Sequence, residues 1–491
     1  MATHAQRKLV HSASRAVRLH RFQQWLLGFP LIALPFFLGG ARPWLWSTVA
    51  GVFFLGVLVL LAMDRLETNV PLDRPWTWVL GGVLGLVFLQ AAPLPSLVLE
   101  GLNPERLRWI QRAREATGLD AHWMSLSHQP LDTFFYACWG GFLVLFALLF
   151  RNILQHEKGL QWLFVVLYAM AGFQAFYGLL QVLIPSMGVL WEASGSPGAA
   201  QGTFVNRNHY AAFLGMVWPL LLANLMALRP PAEKNAKKRS FLEMEKDRKL
   251  RQKQIFLTVL VGLVLLSLVF SRSRGGIMGA LVAFTVFVLL GGRQRRGVLL
   301  FVLSCWLVMI GYGSVIGFDQ IIARFDLIHA SAPSRFLIWE STWQMILDHP
   351  WVGTGLGTFS MVIQLYQTHL PDHLNIGHAH NDYLELMAEL GIPAALVLIG
   401  LVWGYWWKTA WAVRSAGAVE NGGSGERERH LLRLGALAGS AAFLFHGWVE
   451  FNWAIPANQV YFVMLLVLMG SRRGAEFAEK NRAGDEAHAR K

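Results

Sequence analysis

The sequence predicts an all-α, polytopic membrane protein of about 12 transmembrane helices with two long external loops. Hydrophobic residues make up 54% of the 491 residues, the mean hydropathy is +0.41, and the chain contains 21 Trp and 32 Phe. This composition differs from that of ordinary soluble domains. A hydrocarbon core of about 30 Å requires roughly 20 apolar residues per helix. Twelve stretches approach that length: 22–40, 43–63, 76–92, 133–150, 160–184, 209–228, 255–270, 275–292, 297–317, 383–407, 431–449 and 453–470.

The Lys and Arg residues predict the orientation of the chain, because cytoplasmic loops carry most of these residues in bacterial inner-membrane proteins. With the N-terminus in the cytoplasm, 33 of the 43 Lys and Arg residues fall on the cytoplasmic side. The other ten are all arginines: Arg42, Arg106, Arg108, Arg112, Arg114, Arg207, Arg272, Arg274, Arg324 and Arg335. We therefore expect one integral-membrane domain over residues 1–491, in the bacterial cell inner membrane, with both termini cytoplasmic.

The net charge of +13 raises the question of a nucleic-acid partner. Its largest cluster lies in residues 229–254, a predicted basic cytoplasmic loop that would face anionic membrane lipids. No nucleic-acid recognition motif accompanies the charge, so no nucleic-acid partner is expected. Cys138 and Cys305 lie in predicted spans, which predicts neither a disulfide framework nor a cysteine metal site.

Residues 93–132 and 318–382 are predicted periplasmic loops long enough to fold. In the first, Asn103 and Pro104 predict the start of a helix that carries four arginines. In the second, Arg335 opens a predicted interfacial helix with an apolar stripe and an end at residues 348–350. The stripe consists of Phe336, Trp339, Trp343 and Ile346. The following Gly353–Gly357 segment lacks the surroundings of a nucleotide loop and is predicted to be a flexible bend.

Three polar motifs carry the candidate chemistry, namely residues 202–210, 271–276 and 377–383. In the predicted topology each precedes an inward-running span and so lies at the external N-terminus of a helix, where free N–H groups bind anions. Arg207, Arg274 and Arg335 would complete a pocket for phosphate oxygens, with pyrophosphate as the expected ligand. The alternatives stay open: Arg272 and Arg274 could simply end a helix, and His209 could be a satisfied interfacial histidine.

His378 and His380 admit two interpretations. Nearby His369, Asp372, His373 and Asp382 could form a metal site, but the spacing matches no zinc motif and the arginines would repel a cation. A neutral histidine acting as general base or orienting the acceptor is the sharper hypothesis.

The neighbouring polar residues are given supporting roles. Asn381 and Asp382 are predicted to cap the helix that follows. Glu385 and Glu389 could each pair with an arginine or hydrogen-bond an acceptor hydroxyl. His446 and Glu450 share a helix face by their spacing, which predicts a local hydrogen-bonded pair.

The motifs together resemble the O-antigen ligase and O-antigen polymerase superfamily. The resemblance spans residues 200–395 and rests on Asn-Arg-Asn-His-Tyr-Ala, Ser-Arg-Gly-Gly, the Ser-Arg-x-x-x-Trp helix with its downstream Gly-x-Gly-x-Phe, and His-x-His-Asn-Asp-Tyr-Leu-Glu. It implies a GT-C-like, metal-independent, inverting glycosyltransferase without a cofactor. Arg274 and Arg335 would match the diphosphate-binding arginines of the family and His380 its essential histidine, while Arg207 is a further candidate and His378 a competing one.

The resemblance also implies the partners. The donor would be an undecaprenyl-diphosphate-linked oligosaccharide or polysaccharide on the periplasmic face, and the acceptor a glycan, a lipid A core or a protein. The alternative from another class is a transporter or flippase of lipid-linked glycans. Transporters place ionisable residues near the bilayer midplane, whereas those in the predicted spans lie near the ends.

Overall fold

A computed structural model of the chain describes residues 4–63, 74–118, 123–155, 157–228, 241–291, 307, 335–367, 376–416 and 424–470, and these residues are mainly α-helical. The α-helices are α1 (His4–Phe36), α2 (Pro43–Ala62), α3 (Arg74–Ala91), α4 (Ser96–Leu102), α5 (Pro104–Thr117), α6 (Pro130–Ile153), α7 (Glu157–Leu183), α8 (Arg207–Ala227), α9 (Phe241–Phe270), α10 (Arg274–Gly291), α11 (Arg335–Asp348), α12 (Phe359–Val362), α13 (Asp382–Leu390), α14 (Ile392–Ser415), α15 (Ser424–His446) and α16 (Pro456–Met469). Ile363–Tyr366 and Asn452–Ala454 are 3-10 helices. Strands β1 (Leu94–Pro95) and β2 (Trp123–Met124) pair antiparallel.

Seven of the helices in the described ranges are long and apolar enough to cross a membrane, so the chain is a multi-pass membrane protein. They are Pro43–Ala62, Pro130–Ile153, Lys158–Leu183, Arg207–Ala227, Met244–Phe270, Arg274–Gly291 and Ile392–Ser415. The predicted spans 22–40, 76–92, 431–449 and 453–470 fall largely on α1, α3, α15 and α16, which are not among the seven found in the described residues. The predicted span 297–317 lies outside the described residues except for residue 307. The membrane class is confirmed, and the count of 12 remains a prediction.

One predicted span is wrong in its boundaries. Residues 383–407 were expected to form one helix, but α13 ends at Leu390 and α14 begins at Ile392. Gly391 separates them with φ +80°, and a Cβ there would overlap Trp351 O. Pro393 then occupies the first turn of α14, where its missing N–H costs no hydrogen bond. The carboxylates of Glu385 and Glu389 therefore lie on a separate short helix.

The predicted basic loop 229–254 also differs from the structure. Residues 241–254 form the first half of α9, in which Glu245 pairs with Arg248 and Lys249 one helical turn away. Such i, i+3 and i, i+4 pairs stabilise an exposed helical turn. Only residues 229–240 of the predicted loop remain, and they lie outside the described residues.

Within the large hydrophobic core, a seam of small residues joins α15 to α8. A Cβ at Gly435 would lie 2.7 Å from Pro219 O, and one at Gly439 would overlap Met216 O. Small residues of this kind let membrane helices approach at the backbone. The contacts run in opposite order along the two helices, so α8 and α15 are antiparallel. The N-terminus of α8 therefore meets the C-terminus of α15.

Helix α10 also packs antiparallel to α15 and touches α8, where a Cβ on Gly276 would overlap Ala211. Gly279 faces the backbone of Ala442, and Gly275, near the start of α10, faces the ring of His446 at the end of α15. The N-termini of α8 and α10 are thus brought to the same end of α15.

The two predicted external loops pack against each other beside α13. Asn103 accepts from Arg106 N at 3.1 Å, which confirms the predicted helix start, and its amide donates to Gly353 O at 3.2 Å. The Gly353–Gly357 segment is a packed bend rather than a flexible one: Thr354 N and Gly355 N donate to Ala388 O and Glu389 O, each at 3.0 Å. These bonds satisfy carbonyl groups at the end of α13. The bend therefore fixes the short helix that follows the His-x-His motif.

The predicted helix from Arg335 to Asp348 is confirmed as α11. Of the stripe predicted for the membrane interface, Phe336 and Trp343 are exposed, whereas Ile346 is buried, as are Ile338 and Met345 on the opposite face.

Candidate functional site

The turn that follows α15, residues 447–453, is the point at which the three polar motifs meet. Asp382 N, at the start of α13, donates to Gly447 O at 2.8 Å. Asn208, at the start of α8, donates from Nδ2 to Glu450 Oε1 at 2.7 Å. At the start of α10, a Cβ on Gly275 would lie 3.2 Å from the Val449 side chain. Three helix N-termini therefore surround one turn, which is the arrangement that favours an anion.

Glu450 is the carboxylate at the centre of this turn, and its side chain is 2% exposed. Oε1 forms a salt bridge with Arg335 Nη2, and Oε2 lies 3.2 Å from His380 Nδ1. Burial acts to raise the pKa of Glu450, but the hydrogen bond with His380 and the charge of Arg335 outweigh it and lower the pKa to about 2. Glu450 is therefore ionised throughout the physiological range.

Arg335 is the first residue of α11 and reaches across to the turn. It donates from Nη1 to Val449 O at 2.6 Å, and its side chain remains 43% exposed. Arg207 and Arg274 are likewise the first residues of α8 and α10, and their neighbours Asn208 and Gly275 contact the turn. The structure thus brings the backbone positions of all three arginines round Glu450.

Arg272 has a different setting. It lies at φ +54° in the tight turn between α9 and α10, and it is exposed. Ser273 Oγ accepts from Gly276 N at 3.2 Å and so caps α10 beside it. This geometry fits the interpretation in which residues 271–273 end one helix and begin the next.

The two histidines of the His-x-His motif each face a different carboxylate. His380, at φ +50°, faces Glu450, whereas His378 Nδ1 lies 2.7 Å from Glu385 Oε1. Glu385 Oε2 also accepts from Ala379 N at 2.9 Å, between the two histidines. Burial lowers the pKa of His378, but the carboxylates of Glu385, Glu389 and Glu450 together raise it above its ordinary value. Glu385 therefore binds the His-x-His motif itself through both carboxylate oxygens.

The ring of Phe451 packs against the rings of the site histidines. The His378 ring stacks on it with centroids 4.1 Å apart, and the His380 ring meets it edge-on at 4.9 Å. His209 meets it at 4.4 Å from below and is buried, with its backbone carbonyl accepting from Asn458 Nδ2. Phe451 thus fixes the ring planes of the two partly exposed histidines, and the buried His209 packs against it.

The two predicted cap residues, Asn381 and Asp382, accept hydrogen bonds from different segments. Asn381 Oδ1 accepts from Tyr383 N and Leu384 N at 3.1 and 3.2 Å, so its prediction as a helix cap is confirmed. Asp382 does not cap the helix with its side chain. It accepts from Asn452 N at 3.1 Å and from Trp453 N at 2.9 Å. Asp382 therefore ties α13 to the central turn.

The O-antigen ligase family matches residues 259–399 of the chain. This match supports the predicted resemblance to the O-antigen ligase and polymerase family. No curated protein matches the chain. The stretch that matches the O-antigen ligase family contains Arg274, Arg335 and His380. It leaves out Asn208 and Glu450, which complete the cluster from outside it.

Glu450 is the site residue for which the O-antigen ligase motifs gave no indication. Its spacing predicted a hydrogen bond with His446, and that prediction is wrong, because α15 ends at His446 and the shared helix face ends with it. Within the described residues neither ring nitrogen of His446 has a hydrogen-bond partner. The available indication in the sequence was a carboxylate followed by Phe and Asn just after a predicted span.

The metal site considered for the histidines and aspartates around residues 369–382 can be tested only at the residues that the structure describes. Among the described residues, no three His, Cys, Asp or Glu side chains form a group that could hold a metal ion. His369, Asp372 and His373 lie outside the described residues. In the described cluster, Glu450 forms a salt bridge with Arg335 and also faces His380, while His378 faces Glu385.

Proposed function

We propose that this protein transfers a glycan from an undecaprenyl-diphosphate-linked donor to an acceptor hydroxyl on the periplasmic face of the bacterial inner membrane. The match of residues 259–399 to the O-antigen ligase family supports the reaction class. The observation that carries the proposal is the meeting of Arg335 and His380 on Glu450, beside the N-termini of α8 and α10. In this cluster a binding site for an anion lies beside the histidine to which we assign the role of base.

The reaction is an inverting displacement. The acceptor oxygen attacks the anomeric carbon as the bond from that carbon to the diphosphate oxygen breaks, and undecaprenyl diphosphate departs with the bonding electrons. The hydroxyl proton passes to His380, whose Nδ1 faces Glu450 and whose Nε2 is then the nitrogen available to the acceptor.

Charge develops on the departing diphosphate, and fixed positive groups stabilise it. We assign this role to Arg335 and Arg274, with Arg207 as the third arginine, and to the helix N-termini. Because these groups are part of the protein, we propose that the reaction is independent of a divalent metal. Asn381, Asp382, Glu385 and His209 position the motif rather than contact the donor.

The test uses purified protein, a lipid-diphosphate-linked glycan and an acceptor, with a chelator present throughout. We expect transfer in chelator, and a loss of roughly 10²- to 10³-fold in rate for Arg335→Ala and for Arg274→Lys. Full activity in both variants would contradict the arginine assignment. Proteoliposomes loaded with the same donor provide the second arm, because translocation of the glycan without transfer would support the flippase alternative.

A further inference from the structure

Glu450 forms contacts that conflict with the proposed role of Arg335. One carboxylate oxygen holds Arg335, and the other faces His380. An arginine paired with a carboxylate has already lost much of its attraction for a phosphate oxygen, because the two anions compete for the same donors. The donor-free site is therefore neutralised at the arginine expected to bind the diphosphate.

The two partners differ in their freedom to move. Glu450 is 2% exposed, and Asn208 Nδ2 holds its Oε1 at 2.7 Å. Arg335 is 43% exposed and lies at the first residue of its helix, on a long side chain. A diphosphate carries more negative charge than a carboxylate and offers several oxygens for the guanidinium. Arg335 is therefore the group that moves towards an arriving donor, and Glu450 stays in place.

Movement of Arg335 towards the donor changes the interaction between Glu450 and His380. After Arg335 leaves, the buried Glu450 carboxylate has lost its salt bridge. Its contact with His380 Nδ1 then becomes the main interaction that stabilises the negative charge of Glu450. A carboxylate at one ring nitrogen fixes the tautomer and raises the basicity of the other nitrogen.

On the basis of the proposed function, we propose that Glu450 is a positioning residue that couples donor binding to the activation of His380. Without donor, Glu450 holds Arg335. When the diphosphate takes Arg335, Glu450 stays held by Asn208 but is no longer neutralised by Arg335, so its charge acts on His380 and His380 becomes an effective base only with the leaving group in place. Glu385 makes a similar contact with His378, and its second oxygen accepts from Ala379 N.

The coupling predicts a split between donor binding and turnover that a merely structural role would not give. In purified full-length protein in nanodiscs, Glu450→Gln should bind undecaprenyl diphosphate about 5-fold or more tightly than wild type, because the competing carboxylate charge is gone. The same variant should lose roughly 10²- to 10⁴-fold in kcat. The matched control Glu385→Gln should show no tightening of undecaprenyl diphosphate binding.

A double-mutant cycle separates this inference from the proposed function. In an Arg335→Ala background, Glu450→Gln should no longer tighten undecaprenyl diphosphate binding, because no competition remains. If Arg335→Ala leaves affinity unchanged, the arginine assignment itself fails. If Arg335→Ala weakens binding but Glu450→Gln does not tighten it, or if Glu450→Gln keeps its kcat, only the coupling by Glu450 is overturned.

A structure of the wild-type protein with undecaprenyl diphosphate tests the same point without any variant and so does not depend on Glu450→Gln folding. We expect the Arg335 contact with Glu450 to be broken and the His380 contact to be kept. An intact salt bridge between Arg335 and Glu450 in that complex would overturn the proposal.

Discussion

At the scale of single residues, the sequence motifs located Arg335, His380 and the Asn381 cap, because each lies at or just before a helix start that local patterns predict. They did not locate Glu450 as the shared partner. Glu450 is 115 residues from Arg335 and 70 from His380, and such contacts depend on packing that no local pattern records. Local rules even predicted the wrong partner for Glu450, since they assumed that α15 continues past His446.

The first residue-scale prediction concerns Arg335. Arg335→Ala should lower kcat/KM for the lipid-linked donor by roughly 10²- to 10³-fold, because a charged donor to the diphosphate is removed. Arg42→Ala is the matched control, since Arg42 is also exposed but pairs with Glu192. Donor-dependent initial rates measure both. Equal losses in the two variants would indicate a general effect of surface charge.

The second residue-scale prediction separates the two histidines. His380→Ala should lose roughly 10²- to 10⁴-fold in kcat, because the proton acceptor is removed. His378→Ala should lose less, because we assign His378 a packing role on Phe451. Single-turnover rates with saturating donor measure the difference. A larger loss in His378→Ala would transfer the base assignment to His378.

The pH dependence of stability provides a third residue-scale prediction. The folded pKa of His378 is raised above its unfolded value of about 6.5, so its pairing with Glu385 stabilises the fold fully below that pH. This contribution is lost as pH rises through the folded pKa. The difference in Tm between wild type and Glu385→Gln should therefore be largest near pH 6 and shrink towards pH 9. A difference that grows with pH would have the wrong sign.

At the scale of elements, local patterns predicted the starts of α5, α8, α10 and α11, since proline, capping residues and the ends of apolar runs are local features. They missed the break between α13 and α14 because the apolar run continues across it. The break arises from packing, with the backbones of residues 351–353 and 389–391 in contact. The helical continuation of the basic segment into α9 was missed because positive charge was taken to indicate a loop.

The seam between α8 and α15 carries a prediction about stability. Gly439→Ala should lower Tm, because its Cβ would overlap Met216 O and the cost of such overpacking is about 1–3 kcal/mol. Gly400→Ala in α14 is the control, since its Cβ would meet nothing within 4 Å. Thermal unfolding in detergent compares the two. An unchanged Tm in Gly439→Ala would show that the helices do not approach as described.

At the scale of the whole molecule, composition was sufficient for the membrane class, whereas the arrangement of the spans was not predictable. Helix contacts within a membrane depend on small residues such as Gly435 and Gly439. A hydropathy profile does not distinguish these contact residues from other residues of a span. The sequence analysis placed the three helix N-termini on one side of the membrane because it assumed that successive spans alternate in direction. The antiparallel packing of α8 and α10 on α15 gives a physical reason for that placement.

The sidedness of the arginines tests the central claim most directly. Single-cysteine variants Arg272→Cys and Arg335→Cys, in a background without Cys138 and Cys305, would be treated in intact spheroplasts with a membrane-impermeant maleimide. We predict that both react from the periplasmic side, while Lys249→Cys in the basic half of α9 reacts only after permeabilisation. Reaction of Arg272→Cys and Arg335→Cys from opposite sides, or of both only after permeabilisation, would contradict a single periplasmic diphosphate site.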